Sequence, residues 1–330
     1  MKASGLIGLI ILLPLLGAGL SMIMSTRRWV QQRIGVVVLT VTTAAAAVLL
    51  VRVDDVGRVV TQAGGWPAPL GITLMADRFS AAMAFVSALM LLVVLLFAIG
   101  EGGSSKKAAG FHPVYLILAT GVAMILFAGD LFNLFVALEV TLSSSYLLLV
   151  IDGDREQIRR GVTYVVISVV ASTLFLTALG FIYAATGTVN MADLVGKLAA
   201  LPPSTRDGFR ILLFLVFGVK AALFPLFFWL PDSYPTAASP VTALFAGLLT
   251  KVGVYAIIRT QVLFRPGVTV VDTVILVIAG LTMVVGVLGA VAQDDMKRIL
   301  SFHIVSHIGY MVLGLGFFTV AGVAGAMFFV

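Results

Sequence analysis

Residues 217–255 read FGVKAALFPLFFWLPDSYPTAASPVTALFAGLLTKVGVY, and each of the two apolar runs in this stretch carries a lysine, Lys220 or Lys251, near its middle. Apolar runs of about 20 residues cross the ~30 Å hydrocarbon layer of a membrane as helices. A lysine at the centre of such a helix costs about 2.5–3.5 kcal/mol on insertion scales, and ionisable residues at that depth usually have a function. The stretch therefore predicts membrane helices that make use of their charges.

The rest of the chain has the same character. Of its 330 residues, 61% are hydrophobic and 11% are charged, and the mean hydropathy is +1.15, whereas about 25% of the residues of a soluble domain are charged. The composition predicts an all-α polytopic transmembrane helical bundle, a multi-pass protein of the plasma membrane with the lipid bilayer around it. Its apolar runs fall at 5–24, 34–52, 78–99, 112–129, 131–151, 162–186, 209–229, 240–259, 270–292 and 301–320, and an eleventh begins near Ala321.

Several classes of function are excluded by the composition. The formal net charge of +6 comes largely from basic residues in short loops beside apolar runs, which orient membrane helices, so no nucleic-acid partner is expected. The absence of cysteine excludes disulfides, iron–sulfur clusters and thiolate metal sites. Three histidines are too few for a multi-haem carrier. We therefore expect no cofactor and no metal site.

The loop charges also bear on orientation. A small excess of basic residues, including Lys106 and Lys107, favours a cytoplasmic location for the loops on one side, which puts the N-terminus outside. The outer loops are then expected to contain Lys2, Arg210 and Arg265. The longest outer loop, residues 54–79, contains VGRVV and LGITL around a Gly-Gly-Trp-Pro turn, which predicts a short surface hairpin.

Three ionisable residues are expected at similar depths in the membrane. At 1.5 Å per residue, Lys251 lies roughly 16 Å beyond Pro240, Lys220 is as deep from the other side, and Glu139 lies about 12 Å beyond Leu131. Burial disfavours a charged group and a nearby opposite charge favours it, so groups that approach and separate can pass a proton. The pattern indicates a proton relay, and the alternative is a static buried ion pair that joins helices.

Two further features lie close to these charges in the sequence. Pro225 follows Lys220 by five residues and predicts a helix break beside the charge, or else a packing kink. His303 and His307 are spaced i, i+4 and share a helix face with Tyr310. A hydrated strip that passes protons explains this face best, with interhelical hydrogen bonding or an incomplete metal site as alternatives.

An internal repeat is indicated by an offset of 164 residues between 129–146 and 293–310. The offset aligns Asp130 with Asp294, Glu139 with His303, Ser143 with His307 and Tyr146 with Tyr310. We expect three parts: a three-helix segment with the outer hairpin at 1–110, a five-helix repeat at 111–260, and the start of a second repeat at 270–330. The last residues, AGAMFFV, lack a helix-stop signal, so we expect the sequence to stop short of a longer protein.

The stretches GDLFNLFVALEV (129–140), residues 219–255 and DDMKRILSFHIVSHIGYMVLGLG (294–316) resemble the antiporter-like subunits shared by Mrp-type cation/proton antiporters and respiratory NADH:quinone oxidoreductase (complex I). The resemblance runs from about Phe111 to Leu315 and is greatest for the D subunit of the Mrp antiporter. It implies about fourteen helices in two inverted five-helix repeats, each with a broken helix, of which this chain would hold ten or eleven. It also implies that Glu139 pairs with Lys220, that Lys251 continues the proton path, and that later elements follow Val330.

The function expected from the residues and the resemblance is exchange of Na⁺, Li⁺ or K⁺ for protons by a hetero-oligomeric membrane antiporter. Glu139, Lys220, Lys251, His303 and His307 would carry the protons, without catalytic chemistry of the chain's own. The alternatives are a proton-pumping subunit of a respiratory dehydrogenase or membrane-bound hydrogenase, and a non-conducting membrane scaffold. The sequence does not identify the exchanged cation, the subunit that carries it, or the stoichiometry.

Overall fold

The computed structural model describes residues 3–101, 110–264 and 269–330. Lys2, Lys106, Lys107 and Arg265, four of the charges that flank the apolar runs, lie outside the described residues. The main elements are α1 (Ala3–Ile23), α2 (Arg28–Val56), β1 (Arg58–Gln62), β2 (Thr73–Asp77), α3 (Arg78–Gly100), α4 (Phe111–Phe127), α5 (Leu131–Leu149), α6 (Arg155–Thr186), α7 (Met191–Ala199), α8 (Pro203–Ala221), α9 (Trp229–Ser233), α10 (Ser239–Leu244), α11 (Thr250–Leu263), α12 (Val270–Val291), α13 (Met296–Gly316) and α14 (Val320–Phe329).

The described residues include eight helices that are long and apolar enough to cross a membrane: α1, α2, α3, α5, α6, the continuous span Ser239–Leu263, α12 and α13. The apolar helices α4 and α14 are shorter. Every predicted apolar run coincides with a helix, although the helix in the run 209–229 ends early, at Ala221. The predicted all-α polytopic bundle is confirmed, and the chain is a multi-pass membrane protein, which in a bacterial cell means the plasma membrane.

The chain divides into two compact units, Met1–Ile158 with Ala237–Leu244, and Arg159–Thr236 with Phe245–Val330. These units reflect compactness, whereas the predicted parts 1–110, 111–260 and 270–330 describe an internal repeat and stay a prediction. Helix α13, which the 164-residue offset aligns with α5, is capped by Asp295, whose carboxylate accepts a hydrogen bond from the Arg298 N–H. The cap is therefore one residue later than Asp294, which the 164-residue offset aligns with the α5 cap.

In the first unit, buried polar side chains join neighbouring helices. Gln31 of α2 donates to the Ser21 carbonyl at the end of α1 (2.8 Å), and the Tyr115 hydroxyl of α4 donates to the Leu91 carbonyl of α3 (2.8 Å). Helices α4 and α5 approach closely at Gly121, where a Cβ atom would collide with the Thr141 hydroxyl. Small residues and interhelical hydrogen bonds are the usual means of joining helices in lipid, because the hydrophobic effect does not drive helices together there.

The predicted hairpin is confirmed. Strands β1 and β2 pair antiparallel, with Arg58 opposite Asp77 and Gln62 opposite Thr73. The hairpin is fixed to the α4–α5 turn by Asp130, whose carboxylate accepts hydrogen bonds from the backbone N–H groups of Asn133 (2.6 Å) and Thr73 (3.3 Å). Burial raises the pKa of the Asp130 carboxyl, while these backbone hydrogen bonds act in the opposite direction.

In the second unit, the short helix α9 is held from two sides. The Asp232 carboxylate contacts Arg160 of α6 at 3.0 Å and Arg298 of α13 at 3.4 Å. The Trp229 ring packs against Tyr164 of α6, with ring centroids 5.2 Å apart. These contacts fix the segment that follows the end of α8, and α8 is the helix that carries Lys220.

Candidate functional site

Lys220 lies in the last turn of α8 and is half-buried. Its ammonium donates hydrogen bonds to the Ser168 carbonyl (3.2 Å) and the Ser172 hydroxyl (3.0 Å), both on α6. The two serines are buried and spaced i, i+4, so they present one polar strip to the lysine. A hydroxyl group both donates and accepts hydrogen bonds, so Ser172 can serve either protonation state of the amine.

The chain leaves helical geometry directly after Lys220. Helix α8 ends at Ala221, and Ala222 adopts a left-handed conformation with φ +63°. Pro225 lies in the non-helical stretch before α9, and the ring of a proline in a helix clashes with the carbonyl four residues earlier, here that of Ala221. The apolar run 209–229 is therefore not a single helix.

Side chains satisfy backbone groups that the break sets free. The Trp229 indole N–H donates to the Val219 carbonyl (3.1 Å), and the Phe224 N–H donates to the Thr282 hydroxyl of α12 (3.0 Å). Non-helical backbone at membrane depth requires such partners, because lipid supplies none. Specific side-chain contacts within the second unit therefore support the break after α8.

Lys251 lies at the start of α11, directly after a π-helical segment, Phe245–Leu249. Its half-buried ammonium donates to the Ala246 carbonyl within that segment (2.5 Å). A π-helical turn widens the helix and leaves carbonyls turned away from regular α-helical hydrogen bonds, and such turns are frequent at functional sites. No pattern in the sequence indicates this turn.

The two lysine-bearing helices, α8 and α11, approach closely at Gly253. A Cβ atom on Gly253 would lie 2.9 Å from the Ala221 nitrogen and 3.1 Å from the Lys220 carbonyl carbon. Only glycine leaves the backbone of α11 free to lie against the peptide that follows Lys220. The contact fixes the relative position of the helices that carry Lys220 and Lys251.

We expect Gly253→Ala to push α8 and α11 apart, because its methyl group would meet backbone atoms that cannot rotate away. Overpacking of this kind costs about 1–3 kcal/mol. The apparent melting temperature of the purified complex measures it. Gly280→Ala in α12 is the matched control, since a Cβ atom at Gly280 meets no atom within 4 Å. Equal melting temperatures for the two variants would contradict the close approach.

A buried polar network also joins α8 to α11 and α12. Arg210, only 3% exposed, donates from Nε to the Gln261 side-chain oxygen (2.7 Å), from Nη1 to the Thr269 hydroxyl (3.1 Å), and from Nη2 to Asp272. Its guanidinium also lies 4.8 Å from the centre of the Phe318 ring. The expectation that Arg210 is an outer-loop charge is wrong, because the side chain is buried within α8.

His303 and His307 are brought together on α13, with ring centroids 4.2 Å apart. His303 is exposed and His307 is half-buried, and the Lys251 ammonium is close enough to His307 for their charges to interact. Within the described ranges, no group of three or more histidine, aspartate or glutamate side chains could hold a metal ion. Glu139 is half-buried on α5, in the first unit.

Sequence reasoning missed Ser168, Ser172, Arg210 and Gln261. The two serines had a usable signal, since they repeat at i, i+4 in an otherwise apolar run. Arg210 had none, because it lies near Arg206 and Asp207, where the local composition is that of a loop.

The family described as "NADH:quinone oxidoreductase/Mrp antiporter, TM" matches residues 128–330. The D subunit of the Na(+)/H(+) antiporter of Alkalihalophilus pseudofirmus is 46% identical over 286 residues, which is 86% of this chain and 58% of that protein. A chain in the structure of the Mrp complex from Dietzia sp. DQ12-45-1b superposes with a TM-score of 0.93 at 33% identity, covering 100% of this chain and 62% of that one.

A chain of the membrane-bound sulfane sulfur reductase, an archaeal respiratory membrane complex, superposes with a TM-score of 0.87 at 28% identity, covering 94% of this chain and 64% of that one. The chain thus spans about three-fifths of the length of these relatives. The family match, residues 128–330, covers more than half of the chain. The chain therefore belongs to the family of transmembrane subunits shared by NADH:quinone oxidoreductases and Mrp antiporters.

Proposed function

We propose that the chain is part of the D subunit of an Mrp-type antiporter, which exchanges Na⁺, or Li⁺ or K⁺, for protons together with other subunits of a hetero-oligomeric complex in the plasma membrane. The observation that carries the proposal is the 46% identity to the D subunit of a Na(+)/H(+) antiporter over 86% of this chain. The likeness to a chain of the Mrp complex, with a TM-score of 0.93, supports it.

We further propose that protons move along Glu139, Lys220, Lys251, His303 and His307. The second-unit contacts support this path: Lys220 is bonded to a hydroxyl, Lys251 to a carbonyl of the π-helical segment, and His307 lies within electrostatic reach of Lys251. The hydroxyl and carbonyl oxygens that contact the two lysines accept hydrogen bonds from a charged or a neutral amine, so these contacts suit both protonation states. Lysine suits such a role because its protonation responds to its surroundings, whereas arginine stays charged.

A second candidate function is proton pumping driven by electron transfer in partner subunits. The likeness to a chain of the sulfane sulfur reductase, a respiratory complex, favours it. The lower identity of that chain, 28% against 46%, makes it the weaker candidate. The same proton path would serve both functions, so only the driving reaction separates them.

The experiment uses everted vesicles from an antiporter-deficient host that expresses the full operon. A pH-sensitive dye reports a preset proton gradient, and NaCl is then added to parent, Lys251→Ala and Lys197→Ala vesicles. Lys197 is the control because it forms an exposed ion pair with Asp193 (3.0 Å) on α7, outside the predicted path. We expect sodium to collapse the gradient in the parent and the control, and not in Lys251→Ala.

Two other outcomes have clear meanings. A parent that ignores sodium, but takes up protons when NADH or another electron donor is added, assigns the chain to a redox-driven pump. Sodium-driven collapse that survives Lys251→Ala would reject the proton path and leave the chain as a scaffold within an antiporter.

A further inference from the structure

A cavity of about 380 Å³ lies within the first unit, between the N-terminal half of α1, the hairpin and the adjacent ends of α4 and α5. Its volume falls in the range of about 300–1,000 Å³ that is typical of small-molecule sites. Most of its wall is apolar, with Gly8 and Leu12 from α1, Ile72 and Leu74 from the hairpin, and Met124 from α4. The proposed transport function uses none of these residues.

One polar side chain lines this apolar cavity from a buried position. Asn133, 5% exposed, is bonded through its backbone N–H to Asp130 (2.6 Å). Its side-chain Nδ2 group has no hydrogen-bond acceptor among the described residues. Buried donors in native proteins nearly always have an acceptor, and a buried donor without an acceptor lowers the stability of the protein. The amide therefore indicates an occupant with an acceptor atom.

The position of the cavity indicates where the occupant comes from. The wall formed by α1 belongs to a membrane-spanning helix, and Leu12 is 54% exposed there. Asn133 is the third residue of α5, so it lies within a turn of the end of its membrane helix. The ends of such helices reach the interfacial layer that separates the ~30 Å hydrocarbon core from water. Lipid ester groups occupy that layer, and their acyl chains run inward along helices such as α1.

We propose that this cavity binds one acyl chain of a bilayer phospholipid, and that Asn133 Nδ2 donates a hydrogen bond to the ester carbonyl of that chain. The apolar wall takes up the hydrocarbon, and the buried amide selects a chain that carries an acceptor at its head. The bound lipid would fill the space between α1 and the hairpin. This inference does not depend on which reaction drives transport.

The first test fills the cavity. Gly8→Leu places a side chain into it, since a Cβ atom at Gly8 meets no atom within 4 Å. Gly19→Leu is the matched control, because Gly19 is equally open, lies on the same helix and does not line the cavity. The intact complex is labelled with a diester phospholipid that carries a diazirine on its acyl chain, and labelled peptides are mapped. We expect strong labelling of α1 and the hairpin in the parent and in Gly19→Leu, and severalfold less in Gly8→Leu.

The second test concerns the hydrogen bond. A dialkyl ether phospholipid lacks the ester carbonyl, so the diester lipid should compete for the labelled site about two- to tenfold better, the value of one net hydrogen bond. We expect Asn133→Leu to lose this preference and still be labelled. Equal labelling of Gly8→Leu and the parent would overturn the proposal. So would loss of a partner subunit from Gly8→Leu without loss of lipid, because the occupant would then be protein.

Discussion

Lys251→Arg is expected to slow sodium-driven proton movement in vesicles by on the order of 100-fold, while the complex still assembles. A positioned side chain that transfers protons typically contributes 10²–10⁴-fold. Arginine retains the positive charge and hydrogen-bond donors but does not release its proton in a protein. The half-buried Lys251 ammonium, bonded to the Ala246 carbonyl, would be replaced by a cation of the same sign and different chemistry.

This variant separates the two explanations of the membrane lysines. A lysine that only holds helices together through its charge would be replaced by arginine with little loss of activity. The measurement is dye-reported collapse of a preset gradient, normalised to the amount of complex in the membrane. Lys197→Arg is the control, since its exposed ion pair with Asp193 tolerates either cation. Transport by Lys251→Arg at the rate of the parent would assign the lysine a structural role.

Arg210→Met is expected to destabilise the second unit by about 3–5 kcal/mol, because removing one member of a buried ion pair leaves the other charge without compensation. Asp272 is 2% exposed and would lose the guanidinium, and Gln261 and Thr269 would each lose a donor. Stability changes of this size lower the melting temperature of a unit of 150–250 residues by roughly 6–20 °C. Fluorescence-detected size exclusion of heated complex measures the shift.

The matched control for the buried pair is an exposed one. Arg78 and Asp54 form an ion pair at 2.8 Å with both side chains 69% exposed. Exposed pairs contribute about 0–1 kcal/mol, so Arg78→Met should leave the melting temperature nearly unchanged. In the double variant Arg210→Met with Asp272→Leu, part of the lost stability should return, since no buried charge remains. A single Arg210→Met variant as stable as the parent would mean that the network contributes nothing.

The network around Arg210 also bears on the two membrane lysines. Arg210 precedes Lys220 by ten residues on α8, and Gln261 follows Lys251 by ten residues on α11. The Gln261 amide also donates back to the Arg210 carbonyl (3.1 Å). Together with the close approach at Gly253, two separated contacts hold the lysine-bearing helices in register.

The membrane helices and the hairpin were predictable, because both follow from local patterns. Apolar runs of the right length define α1 to α6 and α11 to α13, and turn residues between two β-prone segments define β1 and β2. The end of α8 was predictable as well: the carbonyl that Pro225 excludes from a helix belongs to Ala221, which is where α8 stops.

Other features depend on residues far apart in the chain. Asp272 lies 62 residues from Arg210, and Thr282 lies 58 residues from Phe224, so a single sequence carries no sign of either contact. The hydrogen bonds of the π-helical segment Phe245–Leu249 span one residue more than those of an α-helix. Its residues, FAGLL, suit an α-helix equally well, so the sequence does not reveal the difference. The proposed path through Glu139, Lys220, Lys251, His303 and His307 stays a prediction.

The end of α8 beside Lys220 has one more consequence. The aligned peptide dipoles of a helix amount to roughly half a negative charge at its C-terminus, and α8 ends one residue after Lys220. The backbone itself thus provides the Lys220 ammonium with a counter-charge. Unlike a carboxylate, this counter-charge takes up no proton at any pH. It would therefore remain constant while the side chains of the proposed proton path gain and lose protons.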